Sequence, residues 1–167
     1  ALGFSFDRHA VRNMLQHASF HQQSPARIRV RLSPAGNVAV VFETPPATPS
    51  GPVPVKIVPL PVAPEDFRLR HKTSDRAFYD CARHSSGAFE IALLHPNGQL
   101  TEGSFTSLFV ERDGLLMTPP LSLGLLPGIL RAELIAQGKA VEAPLTPADL
   151  SDGFFIGNAL RGLLPAI

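Results

Sequence analysis

The first third of the chain contains two kinds of patterned segment. Residues 10–17 carry apolar side chains three and four positions apart, as one face of a helix does, and Asp7 stands where an N-cap is expected. Residues 27–32 alternate apolar side chains with arginines, which is the period-two pattern of a half-buried strand. After a Pro-Ala-Gly-Asn turn, residues 38–42 form a second apolar run. The pattern therefore predicts a helix followed by a β-hairpin.

A proline-rich segment at residues 45–54 interrupts this patterning. Proline lacks a backbone donor and favours extended conformations, so such a run is typical of a linker. We therefore predict two domains: the remainder of a small α+β domain at residues 1–44, and a larger barrel-like α+β domain at residues 55–167. The first residues resemble the end of one element before another, so we expect that N-terminal elements of the small domain are missing.

Short strands joined by turns dominate the predicted larger domain. Asn-Gly and Asp-Gly dipeptides mark turns, and a proline before and a glycine after one periodic segment mark the ends of a helix. The predicted strands are 55–62, 89–94, 108–111, 115–118 and 153–158, and the predicted helical segments are 74–84, 128–137 and a short start at 146–150. Several short strands with interspersed helices indicate a sheet or barrel in an α+β fold.

Composition narrows the function classes. The 167 residues are 44% hydrophobic, which is ample for a packed core, and 15 Lys and Arg against 14 Asp and Glu leave a net charge of +1. This balance lacks the basic excess of a nucleic-acid-binding protein, and no apolar run is long enough to span a bilayer. The single cysteine, Cys81, cannot form an internal disulfide. We therefore expect a soluble, cytoplasmic protein with no nucleic-acid or membrane partner.

Two residues could carry covalent or acid-base chemistry. Lys72 lies between a predicted strand and a predicted helix, and its cationic neighbours Arg70 and Arg76 favour a neutral, nucleophilic amine. Glu102 follows a predicted hairpin turn and precedes an apolar strand. On composition alone, a solvated lysine and an exposed turn acid are the commoner interpretations.

Two glycine-containing turns could bind an anion. Within residues 125–131, Gly128 opens a predicted helix whose positive dipole end and first N–H groups, on Ile129 and Leu130, favour phosphate. The turn at residues 156–160 follows a buried apolar run and could add main-chain N–H groups and the Asn158 amide. Taken singly, each turn is also an ordinary structural feature.

Taken in order along the chain, these residues resemble the motifs of fold-type IV pyridoxal-phosphate (PLP) enzymes. That family has a lysine at the start of its larger domain, an acid followed by a hydrophobic-Phe segment, an L-P-G-I-x-R motif, and a late G-N-A or G-T-A turn. This chain supplies Lys72, Glu102 with Leu108-Phe109, Leu126-Pro-Gly-Ile-Leu-Arg131 and Gly157-Asn-Ala159. The resemblance covers residues 72–167.

The resemblance implies a fold, a cofactor and residue roles. The fold would be α+β, of the D-amino acid aminotransferase type, and the cofactor would be PLP, with no metal in the site. Lys72 would form the Schiff base, and Glu102 would hold the pyridine nitrogen protonated. The implied cofactor contacts are Lys72, Glu102, Leu126, Gly128, Ile129, Leu130, Gly157 and Asn158. One departure is Ser107, which stands where the family usually has Asn.

Within the family, three strings resemble 4-amino-4-deoxychorismate lyase, particularly the lyase part fused behind a p-aminobenzoate synthase component. They are His-Lys-Thr-Ser-Asp-Arg, Leu-Thr-Glu-Gly and Asn-Ala-Leu-Arg-Gly-Leu-Leu-Pro-Ala. The resemblance implies a homodimer that converts the small molecule aminodeoxychorismate to p-aminobenzoate and pyruvate in folate synthesis. In complete relatives a phosphate-binding arginine precedes this sequence, and no residue here is assigned that role.

Two alternatives stay open. A branched-chain or D-amino acid aminotransferase of the same fold would use the same lysine and acid, and a non-catalytic fragment would use neither. From the small domain, Arg29 or Arg31 could bind a substrate carboxylate, because guanidinium binds carboxylate bidentately. Outward-facing strand charges explain both arginines equally well.

Overall fold

The computed structural model describes residues 2–167. The backbone separates into two compact units, one ending at Thr48 and the other spanning Pro49–Ile167. This division falls inside the proline-rich segment at residues 45–54, whose role as a linker stays a prediction. Across the described residues, no helix combines the length and apolar character that crossing a membrane requires. The cytoplasmic location also stays a prediction.

The first unit is a helix and a β-hairpin, as the sequence pattern predicts. Helix α1 spans Arg8–Phe20, and strands β1 (Arg27–Leu32) and β2 (Val38–Glu43) pair antiparallel along their whole length. The Asp7 carboxylate caps α1 by accepting the N–H groups of His9 and Ala10 at 2.9 and 3.0 Å. Such a cap satisfies donors that have no partner inside the helix.

The apolar side of β1 is less covered than its alternating pattern suggests. Ile28 and Val30 are 40% and 42% exposed, whereas the intervening Arg29 is half-buried. Arg29 Nε lies 3.1 Å from a carboxylate oxygen of Glu43 on the neighbouring strand. The described part of this unit therefore leaves an apolar strand face open to solvent.

The second unit holds the remaining helices and strands. In chain order these are β3 (Val55–Pro59), α2 (Phe67–Arg70), α3 (Ala77–Ser86), β4 (Glu90–Leu94), β5 (Ser107–Arg112), β6 (Leu115–Thr118), α4 (Ile129–Ala136), β7 (Ala140–Glu142), β8 (Phe154–Asn158) and β9 (Gly162–Ala166). Short 3-10 turns occur at Leu121–Leu123 and Pro147–Leu150. The mixed helix and strand content confirms the predicted α+β class.

Two sheets form the frame of this unit. Five strands are ordered β7-β6-β5-β8-β9, with only the β6–β7 pair parallel, and β3 pairs parallel with β4. Backbone hydrogen bonds from Val53 to Pro165 and from Val55 to Ile167, at 2.9 and 2.8 Å, place the start of β3 alongside β9. The two sheets therefore meet along one edge.

Strand β4 is buried on both faces. Ala92 belongs to a core cluster with Leu108 and Ile156 of the five-stranded sheet, whereas Ile91 and Leu93 join a second cluster under α3. A strand covered on both sides has a continuous apolar sequence instead of an alternating one. The start of β4 and the loop after it consequently lie in the interior of the unit.

Several boundaries differ from the predicted ones for local physical reasons. Strand β3 ends at Pro59 instead of residue 62, since proline cannot donate to a ladder. Helix α3 is shifted to Ala77–Ser86 and ends at Gly87, whose φ of 67° suits glycine. The sequence pattern also missed three short elements, α2, β7 and β9.

Candidate functional site

Glu102 is the chemically most distinctive residue of the second unit. Its side chain is buried at 6% exposure, at the bridge that joins Glu102 to the start of β5. The Tyr79 hydroxyl of α3 donates to Oε1 at 2.5 Å, and the Leu126 main-chain N–H donates to Oε2 at 3.1 Å. The carboxylate is thus oriented by one donor on each oxygen, and each oxygen retains further acceptor capacity.

The surroundings of Glu102 strongly perturb its ionisation. Burial raises the pKa of Glu102 to about 7, and the nearby Glu90 charge also raises it. The hydrogen bonds from Tyr79 and Leu126 and the charge of Arg76 lower that pKa but do not offset the burial. Burial, followed by the Glu102 charge, raises the pKa of Tyr79, so Tyr79 stays a hydrogen-bond donor.

Arg76 supports this acid from the chain segment that follows Lys72. Its guanidinium lies over the ring of Tyr79, 4.2 Å from the centroid, and its NH2 group donates to the Ser104 carbonyl at 2.7 Å. A cation over an aromatic face is attracted to the ring. Arg76 therefore fixes Tyr79, which in turn fixes Glu102.

Lys72 is exposed, in the extended segment between α2 and α3. The four-residue helix α2, which the sequence pattern missed, lies between β3 and Lys72. Arg68 of α2 hydrogen-bonds to Asp66 and to Asp75, at 2.7 Å in each case, and thereby ties together the chain on the two sides of Lys72. Lys72 therefore lies on a surface segment that ion pairs hold on both sides.

The predicted anion turn at the start of α4 has the expected form. Gly128 is the N-cap residue, and within the described chain no side chain caps the first turn, which includes Ile129 and Leu130. Its N–H groups and the positive end of the helix dipole favour an anion. A Cβ atom added to Gly128 would lie 2.9 Å from Ser107 Oγ, so this hydroxyl lies at the same turn.

The second predicted anion turn lies against the first. Gly157 of β8 is buried, and a Cβ atom there would lie 2.8 Å from Leu130 Cδ2 of α4. The Asn158 side chain is already engaged: its oxygen accepts the N–H groups of Leu160 and Arg161, both at 3.0 Å, and its NH2 group donates to the Phe105 carbonyl at 3.1 Å. The Asn158 amide therefore holds the turn together. The sequence predicted instead that this amide would bind the anion directly.

The predicted substrate arginines belong to the first unit. Arg29 is paired with Glu43, and Arg31 is exposed on β1. The structure therefore groups Glu102, Leu126, Gly128, Ile129, Leu130, Gly157 and Asn158 within the second unit through direct contacts or shared turns, and it places Lys72 on the segment before α3.

Sequence reasoning missed Tyr79 and Glu90. A signal for Tyr79 exists, because it is the only tyrosine of the chain and lies three positions after Arg76 in an amphipathic helix, and a buried tyrosine hydroxyl needs a partner. Glu90 gives a weaker signal, a charge at the head of an otherwise apolar strand.

Comparison with known proteins shows relatives of the same family and fold. The family profile described as amino-transferase class IV matches residues 1–167. A crystal structure of a Mesorhizobium loti protein, described as a candidate amino-acid aminotransferase, superposes with a TM-score of 0.90 at 34% identity, covering 99% of this chain and 84% of that one. The fold-type IV architecture implied by the sequence motifs is confirmed.

Two curated relatives carry different activities in their names. A Thermotoga maritima protein named a probable branched-chain-amino-acid aminotransferase is 30% identical over 183 residues, which cover 98% of this chain and 63% of the relative. A Schizosaccharomyces pombe protein named as a candidate aminodeoxychorismate lyase is 29% identical over 149 residues, covering 85% of this chain and 64% of the relative. This chain thus spans less than two thirds of either relative's length.

Proposed function

Because this chain belongs to the class IV aminotransferase family, a family of PLP-dependent enzymes, we propose that it binds PLP through Lys72 and Glu102 and acts as an aminodeoxychorismate lyase. The observation that carries the proposal is Glu102, a buried carboxylate oriented by Tyr79 and Leu126. Its setting suits an acid that must meet a ring nitrogen inside the protein.

The residues present fit the pyridine end of the cofactor. When bound, PLP supplies an electron sink for the carbanion that forms on the substrate. Glu102 would accept a hydrogen bond from the protonated ring nitrogen, since each of its oxygens has one donor and retains acceptor capacity. The positive ring would itself favour the ionised carboxylate, as an opposite charge does.

The phosphate end also fits. The uncapped first turn of α4 presents N–H groups beside the Ser107 hydroxyl, and the missing side chain of Gly157 lets Leu130 of that turn pack closely against β8. Leu126 connects the two ends, because its N–H binds Glu102 and it lies two residues before Gly128. A short chain segment thus joins the acid to the candidate phosphate turn.

Lys72 would supply the amine and the proton transfer. The Nζ of this surface residue would hold the cofactor before substrate binds, and the same atom would then move the proton that aromatisation requires. Aminodeoxychorismate loses a ring proton and its enolpyruvyl group, which leaves as pyruvate, so p-aminobenzoate forms without an added reactant. The three strings around Lys72, Glu102 and Asn158 support the lyase activity, as does the name of the Schizosaccharomyces pombe relative.

The second candidate is a branched-chain or D-amino acid aminotransferase. The names of the Thermotoga maritima and Mesorhizobium loti relatives favour it. A transaminase needs a keto acid for a second half-reaction, whereas the lyase does not.

For substrate carboxylates we retain Arg31 as a candidate, and Arg29 is a weaker one because Glu43 already neutralises it.

A product assay separates these activities. Purified protein with PLP is given aminodeoxychorismate alone, and p-aminobenzoate and pyruvate are measured by chromatography. In parallel, branched-chain or D-amino acids are offered with 2-oxoglutarate, and glutamate is measured. Equal amounts of p-aminobenzoate and pyruvate, absent in Lys72→Ala, support the lyase. Glutamate formation without p-aminobenzoate would support the transaminase, and no product from either reaction would support the non-catalytic alternative.

We further propose that the active form is a homodimer. The first unit exposes an apolar groove of about 640 Å³, lined by Phe6, Val11, Leu15, Ile28 and Val30 among others. Exposed apolar patches of this kind mark contact surfaces, and a second copy would cover it. Sedimentation with and without PLP tests this. Ile28→Lys should yield monomer while the exposed control Ala39→Lys stays dimeric; a wild-type monomer that turns over substrate would refute the assembly.

A further inference from the structure

Glu90, the first residue of β4, is fully buried and is not part of the proposed chemistry. Its carboxylate accepts five hydrogen bonds. Oε1 accepts from Ile91 N–H at 2.9 Å, Ser104 N–H at 3.0 Å and Ser104 Oγ at 2.6 Å. Oε2 accepts from Phe105 N–H at 3.0 Å and Thr106 Oγ1 at 2.9 Å. The donors that satisfy this buried charge therefore come almost entirely from one loop, residues 103–106.

The 103–106 loop is held from its other side by the candidate site. The Ser104 carbonyl accepts from Arg76, and the Phe105 carbonyl accepts from the Asn158 amide. These two residues thus donate their N–H groups inward to Glu90 and direct their carbonyls outward to the site. The contact is close, since a Cβ atom on Gly103 would lie 2.8 Å from Glu90 Oε2.

We propose that Glu90 is a positioning residue whose buried carboxylate holds the 103–106 loop, so that Glu102 and the turn that the Asn158 side chain shapes are presented to the same bound cofactor. Glu102 immediately precedes the loop, and the Asn158 side chain is hydrogen-bonded to it. One buried carboxylate therefore holds in place both the acid at the pyridine end and the turn at the phosphate end. This assignment rests on the proposed binding of PLP.

The geometry requires a carboxylate at this position. A glutamine in the same place would present an NH2 group to donors: on one side the Phe105 N–H, on the other the N–H groups of Ile91 and Ser104. Hydroxyls can rotate to accept a hydrogen bond, but main-chain N–H groups cannot. Glu90→Gln must therefore lose at least one main-chain contact to the loop, although its volume is unchanged.

The test compares Glu90→Gln and Thr106→Val with the exposed control Glu111→Gln. Thr106→Val keeps the Glu90 charge and removes one donor to Oε2. PLP dissociation constants are measured by equilibrium dialysis, folding by circular dichroism, and the ionisation of Glu102 by carboxyl-carbon NMR on cofactor-free protein. The groups that face Glu102 in this titration are Tyr79, Arg76 and Glu90.

We expect Glu90→Gln to stay folded and to weaken PLP binding roughly tenfold, the scale typical of changing a group that orients a binding residue. The Glu102 titration should move to lower pH, because the Glu90 charge raises the pKa of Glu102. Thr106→Val should weaken binding less, and Glu111→Gln should match wild type. Because loss of the Glu90 charge moves this titration by itself, the discriminating variant is Thr106→Val, which keeps that charge. A positioning role moves the Glu102 titration in Thr106→Val, whereas a purely structural role changes stability alone.

Wild-type PLP affinity in Glu90→Gln would overturn the assignment. If Glu90→Gln does not fold, Thr106→Val decides: weakened PLP binding supports the assignment, and wild-type binding overturns it. If wild-type protein itself does not bind PLP, the proposed function fails, and the Glu102 titration in cofactor-free Thr106→Val, which keeps the Glu90 charge, still decides: a shifted titration supports the positioning role of Glu90, and an unchanged one overturns it.

Discussion

Replacing Glu102 with glutamine should change how the stability of the cofactor-free protein depends on pH. Burial raises the pKa of Glu102 from an ordinary 4.5 to about 7. Between these values the folded protein keeps a proton that the unfolded chain has released, so folding stability falls as pH rises through this window. A difference of about 2.5 pKa units corresponds to about 3 kcal/mol at 1.36 kcal/mol each.

The variant keeps the hydrogen bonds of the site while removing the ionisation. The glutamine oxygen can accept the Leu126 N–H, and its NH2 group can donate to the Tyr79 hydroxyl oxygen, which also accepts. Because glutamine does not titrate, the difference in unfolding free energy between Glu102→Gln and wild type isolates this one group. We expect that difference to shift by about 3 kcal/mol in favour of the variant between pH 4.5 and pH 8.

Urea unfolding at these two pH values, on both proteins without PLP, measures the shift. Glu111→Gln, an exposed glutamate on β5, serves as the control and should show little change. A difference between wild type and Glu102→Gln that is the same at both pH values would mean that the pKa of Glu102 is the same in the folded and unfolded protein, and would refute its role as a buried, perturbed acid.

Three further substitutions test neighbouring contacts. Tyr79→Phe removes a hydrogen bond that lowers the pKa of Glu102, so that pKa should rise, as read by carboxyl-carbon NMR. Gly128→Val places a side chain against the start of β5 and should weaken PLP binding, measured by equilibrium dialysis; unchanged affinity would remove this turn from the site. Arg131→Met removes a 3% exposed guanidinium that donates to the Pro119 carbonyl and should cost about 1–3 kcal/mol in urea unfolding.

Local sequence patterns correctly predicted the helices and strands that are determined by residues within their own segment. Alternation predicted β1, and flanking proline and glycine predicted α4, because these residues act through their own backbone. Strand β9 was missed because Pro165 argues against a strand, and its pairing with β8 and with Val53 comes from distant parts of the chain. Strand β7 was missed because three residues are too few to show an alternating pattern of apolar and polar side chains.

The candidate site divides in the same way. The motif residues are readable in order, but the burial of Glu102 depends on Tyr79, 23 positions earlier, and on Leu126, 24 positions later. A glutamate in an exposed turn and a glutamate in a turn buried under a helix can have the same local sequence, so the sequence alone does not predict the burial of Glu102. The role of Glu90 likewise depends on a loop that starts 13 residues later, where its donors lie.

The central claim, that Lys72 binds the cofactor, is tested most directly by absorbance. Protein incubated with PLP should develop a visible band that borohydride bleaches, and peptide mass mapping should then place the reduced cofactor on Lys72. Lys72→Ala should lack the band yet keep the wild-type circular dichroism, because an exposed lysine contributes little packing. The matched control Lys56→Ala should keep the band. A bleachable band retained in Lys72→Ala, or a label found on another lysine, would contradict the account.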